Sequence, residues 1–333
     1  MVSMKEIAQK CGVSVATVSK ALNDKDDIAE STKEMIRKVA DEMGFMANAS
    51  ARALKTNRTY NIGVLFTNDD AGLAHDYFSI ILNSFKVAAE EEGYDITFVN
   101  HKIAGRESTY LKHCEYRNFD GVAIILADFK DPEIIELAES KLPAVCIDYE
   151  YYNCSSVVSD NTKGLLDIVR YAGSMGHRKI AYIHGELTDV TKNRLMGFYD
   201  GCREQGITVD PSYVLQSNYH DIEQCSECTR KLLQLEDRPT CIICPDDYSA
   251  IGCLRVLAQE GLSVPEDMSI IGYDGINMAM INGMTTYMQD SIGLGRIAFR
   301  KLADKIDHPE IPAEHSVVFG KFIVGRTVAK IGD

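Results

Sequence analysis

The chain has 333 residues, of which 45% are apolar and 25% charged, and this composition predicts two or three globular units with their own cores. No apolar run approaches the ~18 residues of a membrane span, and the start lacks the apolar core of a signal peptide, so a cytoplasmic protein is expected. The net charge of −14 excludes a protein that coats nucleic acid indiscriminately. Residues 1–58 hold ten basic and eight acidic residues, a net +2, which leaves −16 on the rest. A mildly basic N-terminal segment followed by an acidic remainder suits a protein that contacts DNA with one end only.

The beginning of the chain predicts two short helices joined by a tight turn. Ile7, Ala8 and Cys11 form one apolar face of a first helix. Gly12 can end that helix in a left-handed conformation, and Ser14 can cap a second helix. This is the pattern of a helix-turn-helix, although from this stretch alone an ordinary helical hairpin remains an alternative.

Small and basic side chains lie on the outside of the second predicted helix. Val18, Ala21 and Leu22 are expected to pack inward. Small outward residues let a helix enter a major groove, and a lysine there reaches a guanine edge or a phosphate. The outward residues are Ala16, Thr17 and Lys20.

A third helix is predicted after the polar loop at residues 23–27. Ser31 and Glu34 form a capping-box pattern at its start, and Gly44 stops it. The three helices make a headpiece over residues 1–46, and residues 47–59 form a linker that is too short to be stably helical alone. The inward residues of the third helix are expected to be Met35, Ile36, Val39, Ala40 and Met43.

Beyond the linker, apolar strand candidates alternate with amphipathic helices, which predicts parallel sheets with helices on both faces. We expect a core over residues 60–333 that consists of two doubly wound lobes with a cleft between them. The N-lobe is predicted over about 60–158 and 290–317, and the C-lobe over about 159–288 and 318–333. The strand candidates are 62–66, 96–99, 122–126, 144–147, 180–183, 241–244 and 269–271, and the main helix candidates are 78–92, 161–175, 190–205, 250–260 and 294–306.

Carboxylates follow several of the predicted strands. In open parallel sheets ligands bind beyond the carboxyl ends of the strands, so Asp128, Asp148, Asp246 and Asp274 together indicate a binding rim. Any single acid there is more often a helix cap than a ligand. Asp246 or Asp247 is the expected cap, because a helix follows at once.

Four of the ten cysteines mimic a zinc ribbon. Cys225 and Cys228 form one C-x2-C pair, and Cys241 and Cys244 form a second pair after a gap of twelve residues. The first pair lies in a helical stretch and the second in a short apolar strand, where positions i and i+3 point to opposite faces. We therefore expect free buried thiols, no metal site and no cofactor.

Short motifs along nearly the whole chain carry a family resemblance. They are MKEIA at 4–8, GVSVATVSKALN at 12–23, ARAL at 51–54, IGVL at 62–65, DN at 160–161, GHRKIA at 176–181, RLMGF at 194–198, RPT at 238–240, DDYSAIG at 246–252, VPEDMSIIGYD at 264–274 and TT at 285–286. In order and spacing the chain resembles the lactose/galactose/purine repressor family of bacterial helix-turn-helix transcription regulators.

The resemblance implies a regulator, expected to be a repressor and not an enzyme, that binds a palindromic operator in double-stranded DNA as a homodimer. It implies lobes of the periplasmic-binding-protein type that close on a small-molecule effector. The implied DNA contacts are Val15, Ala16, Thr17, Lys20, Asn23, Ser50, Leu54 and Lys55, with Leu54 wedged into the minor groove. The implied effector contacts are Asp148, Asp160, Arg194, Tyr219, Asp246 and Asp274.

Three departures from the family pattern bear on the hinge and the ligand. Ala47 replaces the usual proline before the hinge, so the hinge is expected to order less readily, and Gly275 follows Asp274 where a second acid is common. The segment from Asp69 to His75 is unlike the usual loop ahead of the first core helix. That loop helps to select the ligand, so ligand identity stays open at this point.

The implied cleft sets four carboxylates against one cation, Arg194, which disfavours an anionic ligand. We therefore predict an uncharged sugar or polyol as effector, ahead of a nucleobase and a sugar phosphate. A stand-alone sugar-binding protein would have no use for the headpiece. A sugar-acting enzyme is disfavoured because no phosphate-cradling glycine loop and no serine or cysteine nucleophile signature occurs.

Overall fold

The computed structural model describes residues 2–45, 58–67, 73 and 75–332 of the chain. The chain divides into two compact units, residues 1–59 and 60–333. Within the described ranges, no helix combines the length and the apolar character that a membrane crossing requires. The predicted hinge contacts Ser50, Leu54 and Lys55 lie outside the described residues, as does most of the segment from 69 to 75.

The first unit contains three helices, α1 (Met4–Cys11), α2 (Val15–Leu22) and α3 (Glu30–Glu42). Ser3 and Glu6 form a capping box at the start of α1, which the sequence analysis did not anticipate. Gly12 ends α1 with a φ of 70°, and the side chain of Ser14 accepts a hydrogen bond from the Thr17 amide at 3.0 Å. The predicted helix stop and the predicted cap of the helix-turn-helix are therefore confirmed.

The start of α3 differs from the prediction. Its N-cap is Ala29, and no side chain caps the helix, so the predicted capping box of Ser31 and Glu34 is wrong. The helix begins two residues earlier, and the buried amine of Lys33 forms an ion pair with Asp24 at 3.0 Å. This ion pair connects the polar loop to the first turn of α3.

A small apolar core holds the three helices together. Met35 was expected to face this core but is 42% exposed. It precedes the fully buried Ile36 by one position, which is about 100° around a helix. The buried core residues are Ile7, Ala8, Val18, Ala21, Ile36 and Ala40.

The second unit contains two main sheets with helices on both faces of each. Its first half contains β1 (Asn61–Phe66), α4 (Asp76–Glu91), β2 (Asp95–Phe98), β3 (Lys102–Ile103), β4 (Arg106–Glu107), α5 (Tyr110–Arg117), β5 (Gly121–Leu126), α6 (Pro132–Ala138), β6 (Ala144–Ile147) and β7 (Ser155–Ser159). The next part contains α7 (Asn161–Ser174), β8 (Ile180–His184), α8 (Asp189–Glu204), β9 (Val214–Gln216), α9 (Ile222–Leu233), β10 (Cys241–Ile243), α10 (Asp247–Gln259), β11 (Ser269–Asp274), α11 (Asn277–Ile281) and β12 (Thr285–Met288). The last part contains α12 (Ser291–Asp307), β13 (His315–Val318) and β14 (Lys321–Ile323).

The strand order defines two lobes. The N-lobe sheet runs β13-β7-β6-β5-β1-β2 and is parallel throughout. The C-lobe sheet runs β14-β12-β11-β10-β8-β9, and only its edge strand β14 is antiparallel. The chain passes between the sheets after β7, after β12 and after β13. The predicted fold class, an all-helical headpiece and a core of two doubly wound lobes, is confirmed.

Close packing between α7 and α8 positions Arg194, a predicted effector contact. A Cβ atom at Gly197 on α8 would lie 2.0 Å from the carbonyl oxygen of Thr162 on α7. The missing side chain therefore lets the two helices approach closely. Arg194, three residues earlier and almost one turn away on α8, is thereby brought against Asn161 at the start of α7, with Arg194 Nε and Asn161 Oδ1 2.8 Å apart.

Replacing Gly12 by Ala tests the turn between α1 and α2. A Cβ atom at Gly12 meets nothing within 4 Å, so the substitution adds left-handed backbone strain without a clash. We expect the free energy of unfolding of the headpiece to fall by about 1 kcal/mol. Hydrogen exchange of the α1 and α2 amides in the full chain measures this change.

Gly12→Asn is the matched control, because asparagine tolerates the left-handed conformation. Its loss of protection is expected to be smaller than that of Gly12→Ala. Equal losses in the two variants would show that strain at this turn is not what limits the headpiece.

Candidate functional site

Arg194 lies at the centre of a polar cluster in the C-lobe. Its guanidinium is buried, with Nη1 donating to the Pro245 carbonyl oxygen at 2.8 Å and Nε to Asn161. The guanidinium carbon lies 3.7 Å from the ring centroid of Tyr273 and 5.3 Å from that of Tyr219. A buried cation needs such partners, so hydrogen bonds and aromatic faces hold Arg194 in one position.

Asp274, at the end of β11, is the carboxylate nearest to Arg194. Its Oδ1 accepts a hydrogen bond from Gln289 at 2.7 Å and lies 3.9 Å from Nη2 of Arg194. Burial raises the pKa of Asp274 well above its usual range, and the neighbouring guanidinium opposes this effect. Gln289 was not identified from the sequence, because nothing in its neighbourhood marks it as polar and buried.

Asp246 serves as a helix cap and lies in the cluster at the same time. It is fully buried, and its oxygens accept from the Ser249 amide at 2.7 Å and from the His220 amide at 2.9 Å. The expected capping role at α10 is confirmed. Asp247, the next residue, accepts from the amides of Gly275 and Ile276, so it stabilises the turn after β11 and does not face the cluster.

The N-lobe contributes Asp148 and Tyr77. The Tyr77 hydroxyl donates to Asp148 Oδ2 at 2.7 Å, while Oδ1 is buried without a hydrogen-bond partner. Burial raises the pKa of both groups. Asp148 follows β6 as predicted, whereas Tyr77 lies on α4 and was missed by the sequence analysis.

Two histidines that the sequence did not reveal lie against each other in the cluster, with their rings tilted. The ring centroids of His75 and His220 are 3.7 Å apart with an interplanar angle of 40°. Burial lowers the pKa of each to about 4, and the charge of Arg194 adds to this effect at His220. His75 Nδ1 accepts from the Tyr77 amide at 3.3 Å, so the neutral ring carries its proton on Nε2, which is buried without a partner.

Tyr219 lies in the cluster, whereas Asp160 caps a helix. The hydroxyl of Tyr219 hydrogen bonds with Thr191 at 2.7 Å, and its ring lies against Arg194. Asp160 caps α7, with Oδ1 accepting from the Lys163 amide at 3.0 Å. Across the described residues, no hydrogen bond or ion pair connects the Asp160 side chain to the cluster, and its neighbour Asn161 contacts Arg194 instead.

Backbone strain collects at this site. Asp148, His220 and Asp274 have φ values of 62°, 60° and 105°, a conformation that non-glycine residues rarely adopt. Such residues persist when their surroundings hold them, and they occur mainly at functional sites. The exposed Asp128, in contrast, accepts from the Lys130 amide in a turn before α6 and takes no part in the cluster.

The first unit presents the predicted DNA-contacting residues on α2 and its C-terminal end. Val15 is 46% exposed, and Ala16 and Lys20 are also exposed, whereas Thr17 is half-buried. Lys20 forms an ion pair with Asp27 in the following loop. Asn23 ends the helix and donates from its side chain to the Ser19 carbonyl oxygen at 2.5 Å. The arrangement leaves small side chains and one lysine on the outer face of α2.

Comparisons with known proteins match both units. Residues 3–48 match the family model described as bacterial regulatory proteins, lacI family, and residues 169–328 match the periplasmic binding protein-like domain. The chain is 31% identical over 316 residues to the HTH-type transcriptional repressor PurR of Haemophilus influenzae, covering 93% of each chain.

Solved structures share the fold along the whole length. The lac repressor dimer bound to operator and the anti-inducer ONPF matches with a TM-score of 0.79 at 22% identity, covering 98% of this chain and 99% of that one. A complex of the transcriptional regulator CelR with cellobiose matches with a TM-score of 0.70 at 22% identity, covering 98% and 100%. The predicted resemblance is confirmed: the chain belongs to the lacI family of bacterial regulatory proteins and is a DNA-binding transcriptional repressor, not an enzyme, that responds to a small-molecule effector.

Proposed function

We propose that this repressor acts in the cytoplasm as a homodimer on a palindromic operator and that its effector is an uncharged sugar or polyol bound in the cluster around Arg194. The observation that carries the ligand assignment is the state of Arg194. Its Nε and Nη1 already donate to Asn161 and Pro245. The side-on pair of donors, Nε and Nη2, is therefore half used within the protein, and Nη2 and the second N–H of Nη1 remain to donate to ligand oxygens.

The surrounding carboxylates strengthen this assignment. Asp148, Asp246 and Asp274 are grouped around a single buried cation, and Asp246 and Asp274 are themselves fully or almost fully buried. An anionic ligand would have to bind these carboxyl groups in their protonated form or meet like charges at short range in a site of low dielectric, where each uncompensated pair costs on the order of several kcal/mol. Hydroxyl groups have the opposite preference, since they donate strong hydrogen bonds to carboxylates.

Two unpartnered atoms on the N-lobe side match a hydroxyl-rich ligand. Asp148 Oδ1 is a buried acceptor, and His75 Nε2 is a buried donor. Buried polar groups in native proteins are nearly always paired, so each of these atoms favours a ligand group that completes it. A sugar carries hydroxyls that both donate and accept, and can satisfy both atoms.

A nucleobase is the second candidate, and the two adjacent histidine rings favour it. His75 and His220 present flat rings next to Phe78, whose ring centroid lies 5.7 Å from that of His75 and 5.9 Å from that of His220. Flat aromatic faces suit a planar base as well as the apolar face of a sugar. The charge pattern does not distinguish the two, because both are neutral. CelR, the structural neighbour solved with cellobiose, supports the sugar.

The DNA-binding role of individual residues is also a proposal. Val15, Ala16 and Lys20 on α2 suit a major groove, because small side chains allow close approach and one lysine reaches a base edge or a phosphate. The proposed contacts of Ser50, Leu54 and Lys55 rest on the family resemblance alone. The homodimer is supported by the neighbouring lac repressor structure, which is a dimer bound to operator, and by the small contact area of one headpiece.

Calorimetric titration of the full chain tests the effector class. We expect ribose or cellobiose, as neutral probes, to bind at least about tenfold more tightly than ribose 5-phosphate, since one uncompensated charge pair exceeds the ~1.4 kcal/mol of a tenfold change. Adenine serves as the nucleobase probe. Asp148→Asn is expected to weaken binding of the neutral sugar, whereas Asp128→Asn, a matched change at the exposed turn of the same rim, is expected to leave it unchanged.

Tight binding of ribose 5-phosphate that Asp148→Asn leaves unaffected would contradict the neutral-ligand proposal. Tight binding of adenine together with weak binding of both sugars would favour the nucleobase. In either case the DNA-binding assignment stands, because it depends on the headpiece.

The neutrality of the site is tested by NMR titration of the histidine rings. The pKa of His75 and of His220 is lowered to about 4. A lowered pKa keeps the neutral form dominant, so neither ring is expected to protonate between about pH 8 and about pH 5. Selective His75→Asn and His220→Asn variants assign the two signals. A ring that titrates near its usual pKa of about 6.5 would show that the cluster is open to solvent.

Lys20→Ala tests the recognition surface. We expect binding sites selected from a random DNA library to lose their preference at one position in each half-site, with an affinity loss of roughly tenfold to a hundredfold at the wild-type site. Asp27→Asn is the matched control, because it removes the ion-pair partner but keeps Lys20. It is expected to retain the sequence preference. A uniform loss on all sequences in Lys20→Ala would mean that Lys20 contacts only the phosphate backbone.

A further inference from the structure

Three thiols from three elements of the C-lobe meet in its core. Cys225 lies on α9, Cys244 directly follows β10, and Cys253 lies on α10. The Sγ of Cys253 lies 3.5 Å from that of Cys225 and 3.4 Å from that of Cys244, and all three sulfurs lie within 4.8 Å of one another. The three residues are between 0% and 1% exposed. This cluster is an arrangement of converging soft donors, not a set of isolated core thiols.

The cluster does not follow the C-x2-C pairs of the sequence. The Sγ of Cys228 lies 3.4 Å from the carbonyl oxygen of Gln216. Cys241 packs in the core on the opposite face of the sheet from Cys244, as the strand alternation predicted. Cys225 from the first pair and Cys244 from the second meet Cys253, which belongs to neither pair and was not indicated by the C-x2-C spacing.

Charge decides which ion this cluster can hold. Three thiolates around a divalent ion leave one negative charge, and around Cu(I) they leave two. Such a charge would be fully buried, and the acidic side chain of Asp246, two residues after Cys244, would disfavour it further. Burying an uncompensated charge is strongly unfavourable. A trivalent ion on three thiolates is neutral and avoids this cost.

The spacing and the number of donors also argue against zinc. A tetrahedral zinc ion with Zn–S bonds of about 2.3 Å holds its sulfurs ~3.8 Å apart, which is wider than the two short contacts of this cluster. A structural zinc ion further requires four protein ligands. Among the described residues, no fourth histidine, cysteine or acidic side chain converges with these three thiols; the other convergent group, His75, His220 and Asp274, is separate from them.

We propose that Cys225, Cys244 and Cys253 form a three-coordinate site for trivalent arsenic, taken up as arsenous acid. Each thiol exchanges its S–H bond for an S–As bond, and its proton leaves with one hydroxide of As(OH)3 as water. Three thiols and one As(OH)3 thus give one As(S-Cys)3 and three waters. Arsenic remains in the +3 state, no oxidant or reductant is needed, and the product carries no net charge.

Native mass spectrometry of the full reduced chain, incubated with arsenite to equilibrium, tests the site. We expect one adduct per chain, with the mass of one arsenic atom less three hydrogens. The affinity for arsenite is expected to fall by about a hundredfold or more in Cys225→Ala, Cys244→Ala and Cys253→Ala. Two thiols alone lack the high effective concentration that the third thiol provides.

Cys228→Ala and Cys241→Ala are the matched controls. Each removes a buried cysteine from the same element as a proposed ligand, or from the strand leading to it, and each is expected to retain the adduct. Thermal unfolding of every variant ensures that only folded proteins are compared. Where a Cys→Ala variant does not fold, the Cys→Ser variant at the same position replaces it. A zinc titration of the same proteins is expected to show no binding that depends on the three cysteines.

Three outcomes would overturn the proposal. One is the absence of an adduct in the folded chain, or an adduct that forms only in urea. Another is an adduct that Cys225→Ala, Cys244→Ala and Cys253→Ala leave intact or that depends on Cys228 or Cys241. The third is zinc binding through the three cysteines that is tighter than arsenite binding.

Discussion

The buried guanidinium of Arg194 is the interaction on which the proposed effector site depends. A charge withdrawn from water must be surrounded by hydrogen-bond acceptors and aromatic faces, and Arg194 obtains these from Asn161, Pro245 and the ring of Tyr273. The start of α7, helix α8 and the turn after β10 are therefore tied to one side chain. Gly197 makes the arrangement possible, because α7 and α8 could not approach so closely with a larger residue there.

The same constraint explains why the site accumulates strain and shifted pKa values. Asp148, His220 and Asp274 are held in left-handed backbone conformations, and each directs a polar group toward a crowded interior. Their environment disfavours charge, which raises the carboxyl pKa values and lowers those of the imidazoles. A ligand group that donates to the unpaired Asp148 Oδ1 removes the cost of burying that atom without a partner.

The contacts between the two lobes give this site its regulatory potential. His75 and Tyr77 come from the N-lobe, and His220 stacks on His75 from the C-lobe. A ligand that bonds to both lobes stabilises the closed arrangement in proportion to its different affinity for the open and closed states. If the effector binds in this cleft as proposed, it can change the conformation of the core by favouring one arrangement of the two lobes.

Local sequence patterns were sufficient to predict the helix-turn-helix, with its stop at Gly12 and its cap at Ser14, and the alternation of strands and helices in the core. These features depend on local periodicity and on capping, which residues close together in the sequence specify. The sequence also located Asp148, Asp246 and Asp274, because parallel strands end at one rim. It placed the capping box at Ser31 wrongly: α3 begins at Glu30 without a side-chain cap, and Lys33 in its first turn pairs with Asp24 of the preceding loop. Only the tertiary structure brought together His75 with His220 and Cys225 with Cys244 and Cys253, since residues far apart in the chain meet only when the sheets and helices pack.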